Sequence, residues 1–147
     1  VDQAFPVVAG HRTYLRQVFD NLLSNAIKFM ADQQAAEIRI TSARKGAEVW
    51  FSVSDNGCGI PPEQREQVFE PFVRLQPQLA KGSGIGLPIV KRIVELYRGR
   101  VWIEPQSAPG CTVTFAIPAM GGFPFKDAGE DGSGRPVQEV GTQSPLA

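Results

Sequence analysis

The chain has 147 residues, 42% of them hydrophobic, with 15 Lys and Arg against 15 Asp and Glu, a composition that suits one soluble domain with its own core. Balanced charge gives no general pull toward nucleic acid or an acidic membrane surface. No apolar run approaches the roughly 18 residues that span a bilayer, and the N-terminus has no signal-peptide pattern, so a cytoplasmic setting without direct membrane contact is expected. The two cysteines, Cys58 and Cys111, are spaced neither as a metal pair nor as a disulfide framework and are expected to be reduced and partly buried. The single histidine, His11, excludes multi-histidine metal sites and sits where a helix-entry residue belongs.

In chain order, Phe5-Pro6-Val7-Val8-Ala9 reads as an edge strand, because Pro6 has no amide hydrogen. An amphipathic helix is predicted from about Thr13 to Met30, with Leu15, Val18, Phe19, Leu22, Ala26 and Phe29 on its buried face. Gln17, Asn21, Asn25 and Lys28 form a second line along the same helix. Asparagine is a weak helix former, so this amide stripe suits a ligand as well as it suits an ordinary polar face. A loop at Ala31-Asp32-Gln33-Gln34 leads to a strand at Glu37–Thr41, a turn at Lys45-Gly46 and a second strand at Glu48–Ser54. Asp55 continues the parity of Val49, Phe51 and Val53, which aims a carboxylate toward the core side; a loop-capping aspartate is the alternative. Gly57 and Gly59 directly after it permit close backbone approach to a ligand.

Pro62 opens a short helix predicted through Phe69, and Glu70-Pro71-Phe72 stops it. Val73 to Lys81 reads as a mobile loop. Gly82-Ser83-Gly84-Ile85-Gly86-Leu87 then runs into a second helix with Ile89, Val90, Ile93, Val94 and Tyr97 as its apolar stripe and Gly99 as its C-cap. Two strands close the domain, Arg100–Glu104 and Thr112–Pro118. From Ala119 to Ala147 the sequence turns rich in glycine, proline and acids and reads as a disordered tail. Without it the remaining 1–118 unit carries 13 bases and 11 acids.

A glycine loop entering a helix offers backbone amides and a positive dipole end to a phosphate, although Gly82-x-Gly84-x-Gly86 alone fits a flexible loop almost as well. A P-loop is excluded, since Leu87-Pro88 stands where Lys-Ser/Thr is required. A dinucleotide fingerprint starting at Gly57 is excluded by Pro62 at the third glycine position. Four motifs in order carry a more specific resemblance. Asn21-Leu22-Leu23-Ser24-Asn25-Ala26-Ile27-Lys28-Phe29 resembles the N box of sensor histidine kinases. Asp55-Asn56-Gly57-Cys58-Gly59-Ile60 is similar to their first glycine box, Phe69-Glu70-Pro71-Phe72 to the F box, and Gly82–Leu87 to the second glycine box. Gly110-Cys111-Thr112 resembles the closing glycine-threonine turn, and the lid and glycine pattern are most like the phytochrome-type kinases.

The resemblance implies a two-layer α/β sandwich, a mixed sheet with helices on one face, known as the Bergerat ATP-binding fold. It implies ATP and Mg²⁺ as cofactors. Asp55 would accept from the adenine amino group, Asn25 would give a carbonyl oxygen to Mg²⁺, and Lys28 would add positive charge near the phosphates. Phe29, Gly57, Gly59, Ile60, Phe72 and Thr112 would complete the nucleotide site with Gly82, Ser83, Gly84, Ile85, Gly86 and Leu87. Arg74 and Lys81 are lid charges that fit either the γ-phosphate or solvent. Asn21 stands one turn before Asn25, where hydrolytic relatives carry a glutamate base, so phosphoryl transfer is implied over hydrolysis. Ser83 replaces the usual lid threonine, and Gly10-His11-Arg12 is not a phosphoacceptor context. The implied partners are the protein's own dimerisation and phosphoacceptor domain, expected outside this chain, and a response regulator; the isolated domain is expected to be monomeric. A hydrolytic ATPase of the same superfamily and a module that keeps only the fold are the competing readings.

Overall fold

The computed structural model describes residues 6, 8–30, 35–73, 85–106 and 109–119. Helix α1 (Arg12–Phe29) is followed by strands β1 (Ile38–Lys45) and β2 (Glu48–Asp55). Helix α2 (Gly86–Leu96) and strands β3 (Arg100–Ile103) and β4 (Cys111–Pro118) complete the fold. The strands form one sheet in the order β1-β2-β4-β3, and α1 and α2 pack together over its inner face. This is the expected α/β two-layer arrangement. Among the described residues the three strand pairings are antiparallel, and the parallel pair that a mixed sheet would add is not among them. Of the predicted edge strand at 5–9 only Pro6, Val8 and Ala9 are described, and none of them lies in a strand.

Strand parity builds the core. Val49, Phe51 and Val53 of β2 and Val113, Phe115 and Ile117 of β4 are buried on the inner face. Phe51 and Phe115 stack at 5.1 Å, and Phe19 of α1 meets each of them edge-on at 5.6 Å. Val18 and Leu22 from α1 and Val90, Ile93 and Val94 from α2 fill the space between the helices and the sheet. The predicted stripes of both helices are therefore the buried ones.

The outer face has a smaller cluster of its own. Trp50 and Trp102 meet at 4.9 Å, Lys45 lies 3.6 Å from the Trp50 ring centre, and Arg100 stands beside both rings. Each indole N–H donates to a glutamate, Trp50 to Glu48 and Trp102 to Glu104. This cover explains why Thr114 and Ala116, both outward in parity, are nevertheless buried.

Helix ends show where local signals competed with packing. His11 caps α1 by accepting from the Thr13 N–H at 3.2 Å, and the Tyr97 hydroxyl lies 2.7 Å from the His11 amide nitrogen and 3.1 Å from its carbonyl oxygen. The end of α2 is a Schellman turn: Arg98 N–H donates to Glu95 and Gly99 N–H to Val94, both at 2.9 Å. The left-handed residue is Arg98, at φ 59, and not Gly99 as the sequence suggested. Gly99 is needed for space, since a Cβ there would collide with the Ala116 carbonyl. The predicted short helix after Pro62 is instead two separate 3-10 turns, Pro62–Gln64 and Gln67–Phe69. Ala119 is buried, and its N–H donates to the Ala47 carbonyl at 2.7 Å.

Removing side-chain volume from the inner row of β4 tests this packing. Ile117→Ala should lower unfolding free energy by about 2–5 kcal/mol. Ile27→Ala, at a helix position 62% exposed, should stay within about 0.5 kcal/mol. Urea denaturation of the two variants reads the difference.

Candidate functional site

A cleft opens where the C-terminal half of α1 faces the end of the β2–β4 pair. Leu22, Asn25, Ala26 and Phe29 form the helix side; Val53, Asp55, Cys111 and Val113 form the sheet side; Gly59 and Ile60 close the rim. The walls are mostly apolar, with one carboxylate and one amide directed into them, a composition typical of small-molecule sites.

Asp55 is half-buried, and its Oδ1 accepts the Gly57 N–H at 2.9 Å. Burial raises its pKa above the ordinary carboxylate range, while the Gly57 and Cys111 amides pull it partly back. The loop after it is held from two sides. Asn56 donates to the Ala35 carbonyl at 2.7 Å and accepts the Glu37 N–H at 2.9 Å, which ties the loop to the chain entering β1. Gly57 is pressed against the end of α1, where an added Cβ would stand 2.6 Å from the Phe29 carbonyl oxygen. Gly59, at φ +75, leaves the same small gap to Gly110: a Cβ there would be 2.8 Å from its carbonyl oxygen. Arg65 braces the rim by donating to the Ile60 carbonyl at 3.3 Å.

Of the residues singled out in the sequence, Asn25, Phe29, Asp55, Gly59 and Ile60 come together in this cleft. Gly57 shapes it from behind. Thr112 does not reach it: as an even-numbered β4 residue it faces outward, donating to Ser54 Oγ at 2.8 Å and accepting from Gln106. Cys111 takes the inward place instead, and burial, with the Asp55 carboxylate next in effect, pushes its thiol pKa up to about 12. Leu87 is a buried core residue, not a cleft residue. Lys28 lies outside the cleft lining in the last turn of α1, where its charge complements the helix dipole. Phe72 is 77% exposed at φ 65, and Ile85, the residue before α2, is 38% exposed. Arg74, Lys81, Gly82, Ser83 and Gly84 lie outside the described residues.

Asn21 occupies the seam between the helices. Its amide nitrogen donates to the Gln17 carbonyl at 2.9 Å, and a Cβ on Gly86 would lie 3.5 Å from its Oδ1. Its oxygen thus faces the first residue of α2, the end of a helix that favours negative groups. The nearby acids are engaged elsewhere: Asp20 pairs with Arg16 at 3.5 Å and Glu70 with Lys91 at 3.7 Å. Leu22, Ala26, Val53, Cys111 and Val113 were missing from the sequence-based site. Strict alternation from Phe115 back to Cys111 is the signal that finds the thiol.

The buried carboxylate has a stability signature. Because the folded-state pKa of Asp55 is raised above 3.8, its contribution is fully present below pH 3.8 and is lost as pH rises through the folded value. At neutral pH the ionised group is a net cost to folding. Asp55→Asn, which keeps an oxygen for the Gly57 N–H, should therefore raise the melting temperature at pH 7. The gain should vanish as pH approaches 3.8, and thermal unfolding at the two pH values measures it.

Comparison with known proteins places this geometry. The model of the family described as histidine kinase-, DNA gyrase B-, and HSP90-like ATPase matches residues 10–121. The methanogenesis regulatory histidine kinase FilI of Methanothrix harundinacea is 40% identical over 116 residues, covering 79% of this chain and 13% of FilI. Cyanobacterial phytochrome A of Nostoc is 44% identical over 117 residues, covering 79% of this chain and 15% of the phytochrome. The chain thus spans a small part of these relatives. Among solved structures, the catalytic domain of histidine kinase ThkA superposes with TM-score 0.68 at 34% identity, covering 80% of this chain and 76% of that one. Full-length ShkA in complex with AMPPNP gives 0.66 at 31% identity, covering 78% and 23%. Among the described residues, no helix is long and apolar enough to cross a membrane. The chain belongs to the family of histidine kinase-, DNA gyrase B- and HSP90-like ATPases, and its fold is the Bergerat ATP-binding fold of the histidine kinases.

Proposed function

We propose that this domain binds ATP with Mg²⁺ and donates the γ-phosphoryl group to a histidine on a separate dimerisation and phosphoacceptor domain of a two-component sensor kinase, with a response regulator downstream. The observation that carries the reading is Asp55, a half-buried carboxylate in an apolar cleft walled by Gly59 and Ile60 and faced by Asn25 and Phe29 of α1. A purine needs apolar walls for its faces and one directional acceptor for its amino group, and the cleft offers both. The complex of ShkA with AMPPNP supports nucleotide binding by a relative of this fold.

The donor set also fits the metal. Among the described residues no group of three His, Cys, Asp or Glu side chains could hold an ion by itself. Mg²⁺ bound mainly by phosphate oxygens and water needs little more than one neutral protein oxygen, and Asn25 presents an amide to the cleft. When bound, the ion would neutralise charge on the phosphates. Phe72 and Ile27, both strongly exposed, offer apolar surface to a docking domain.

Asn21 separates transfer from hydrolysis. A neutral amide orients water without accepting its proton at physiological pH, and this one already donates to Gln17. A site that holds ATP without activating water keeps the γ-phosphoryl group for a histidine delivered by another domain.

Two measurements test the reading. Asp55→Asn should weaken binding of a fluorescent ATP analogue roughly ten- to a hundredfold, the loss of about 1.5–3 kcal/mol from one charge-assisted hydrogen bond. Unchanged affinity in a folded variant would remove Asp55 from the site. The wild-type domain should release negligible phosphate from ATP at steady state, yet label a cognate phosphoacceptor hairpin supplied in trans. Robust phosphate release abolished by Asn25→Ala would favour the ATPase alternative.

A further inference from the structure

Of the chain's two cysteines, Cys111 lines the cleft and Cys58 lies in the loop next to its Gly59-Ile60 rim, and the proposed phosphoryl transfer needs neither. Cys111 is buried and lines the cleft directly opposite Asp55, its register partner across the β2–β4 pair. Cys58 is exposed, three residues beyond Asp55, in the loop that wraps back onto Gly110. That wrapping is tight on both sides of Gly110: a Cβ on Gly59 would lie 2.8 Å from its carbonyl oxygen, and a Cβ on Gly110 would lie 2.9 Å from the Asn56 Cα. The chain neighbours of Cys58 and Cys111 are thus in contact. Cys58 is also close enough to be among the groups that raise the Cys111 pKa.

We propose that Cys58 and Cys111 are a thiol pair that hydrogen peroxide joins into a disulfide, and that this bond disables the nucleotide cleft. The second half rests on the nucleotide reading above. Cys58 reacts first because it is exposed. Its sulfur attacks one peroxide oxygen, the O–O bond breaks, and the departing hydroxide leaves as water with the thiol proton, giving a sulfenic acid. Cys111, protonated at neutral pH because burial raises its pKa to about 12, gives up its proton as its sulfur attacks the Cys58 sulfur. The S–S bond forms, the S–O bond breaks, and the second hydroxide leaves as water with the Cys111 proton. Two thiols and one peroxide become one disulfide and two waters.

The Cys58 Sγ now lies 3.7 Å from the Gly59 carbonyl oxygen, on the solvent side. A disulfide holds its Cα atoms within about 4.4–6.8 Å, and forming it turns the Cys58 side chain from solvent toward the buried Cys111. Glycines on both sides of Cys58 permit that rotation. The same rotation pulls on the Gly57 N–H that holds Asp55 Oδ1 and draws the Gly59-Ile60 rim toward the cleft. Oxidation therefore disturbs the groups that would hold the base, and a bound base opposes oxidation.

The test treats the full chain with hydrogen peroxide, blocks remaining thiols, and maps peptides without reduction. The expected result is an intramolecular Cys58–Cys111 peptide lighter by two hydrogens and lost on treatment with dithiothreitol. Its formation should slow when ATP analogue is present. Analogue affinity should fall at least roughly tenfold in the linked form and return on reduction. Cys58→Ser should bind the analogue normally and lose the sensitivity to peroxide. Cys58 oxidised alone or joined between molecules, with Cys111 still free, would overturn the pairing. A linked form with unaltered analogue affinity would overturn the effect on the cleft. If neither reduced nor oxidised protein binds analogue, the nucleotide reading fails, while the peptide map still decides the pairing.

Discussion

The register between β2 and β4 carries both the core and the cleft. Pairing Phe51 with Phe115 and Val53 with Val113 stacks the inner rows under α1, and the next inward pair, Asp55 with Cys111, ends the apolar row with a carboxylate. Side chains alternate with a period of two, so a slip by one residue would send Asp55 and Cys111 to the outer face and bring Ser54 and Thr112 inward. Such a slip would also bury Trp50 and expose Phe51. The stability of the fold and the chemistry of the site are therefore set by one alignment of two strands.

Backbone contact sets the width of the cleft. Gly57 against Phe29, and Gly59 against Gly110, are approaches that leave no room for a side chain, and Asn56 fastens the same loop to the chain entering β1. These contacts place the end of α1, the β2 terminus and the β4 start within one small region. Asp55 is kept half-buried at a cost that an ordinary surface aspartate does not carry.

Much of this was legible from residue order. The helix stripes at Val18, Leu22 and Ala26 and at Val90, Ile93 and Val94 are buried as their spacing requires, and the parity of β2 aims Asp55 inward. Family motifs were less exact guides to individual side chains. The glycine-threonine turn pointed to Thr112, but strand alternation places Cys111 in the cleft and Thr112 against Ser54. Leu87 follows the glycine loop in sequence yet belongs to the core, because helix α2 turns it inward.

By itself the sequence determined the two long helices, the four strands, their buried faces and the carboxylate-glycine loop at the cleft, because periodicity and glycine placement are local properties of the chain. Tertiary structure decided what depends on distant neighbours. Gly99 proved necessary for clearance from Ala116 and not for the turn, which Arg98 makes. Thr114 and Ala116 were buried by two tryptophans on flanking strands. Cys111 and the loop that carries Cys58, 53 positions earlier, came together only because β4 pairs with β2 and the glycine loop folds back onto Gly110. Contacts of that kind arise from strand register and close backbone approach, which no window of neighbouring residues contains.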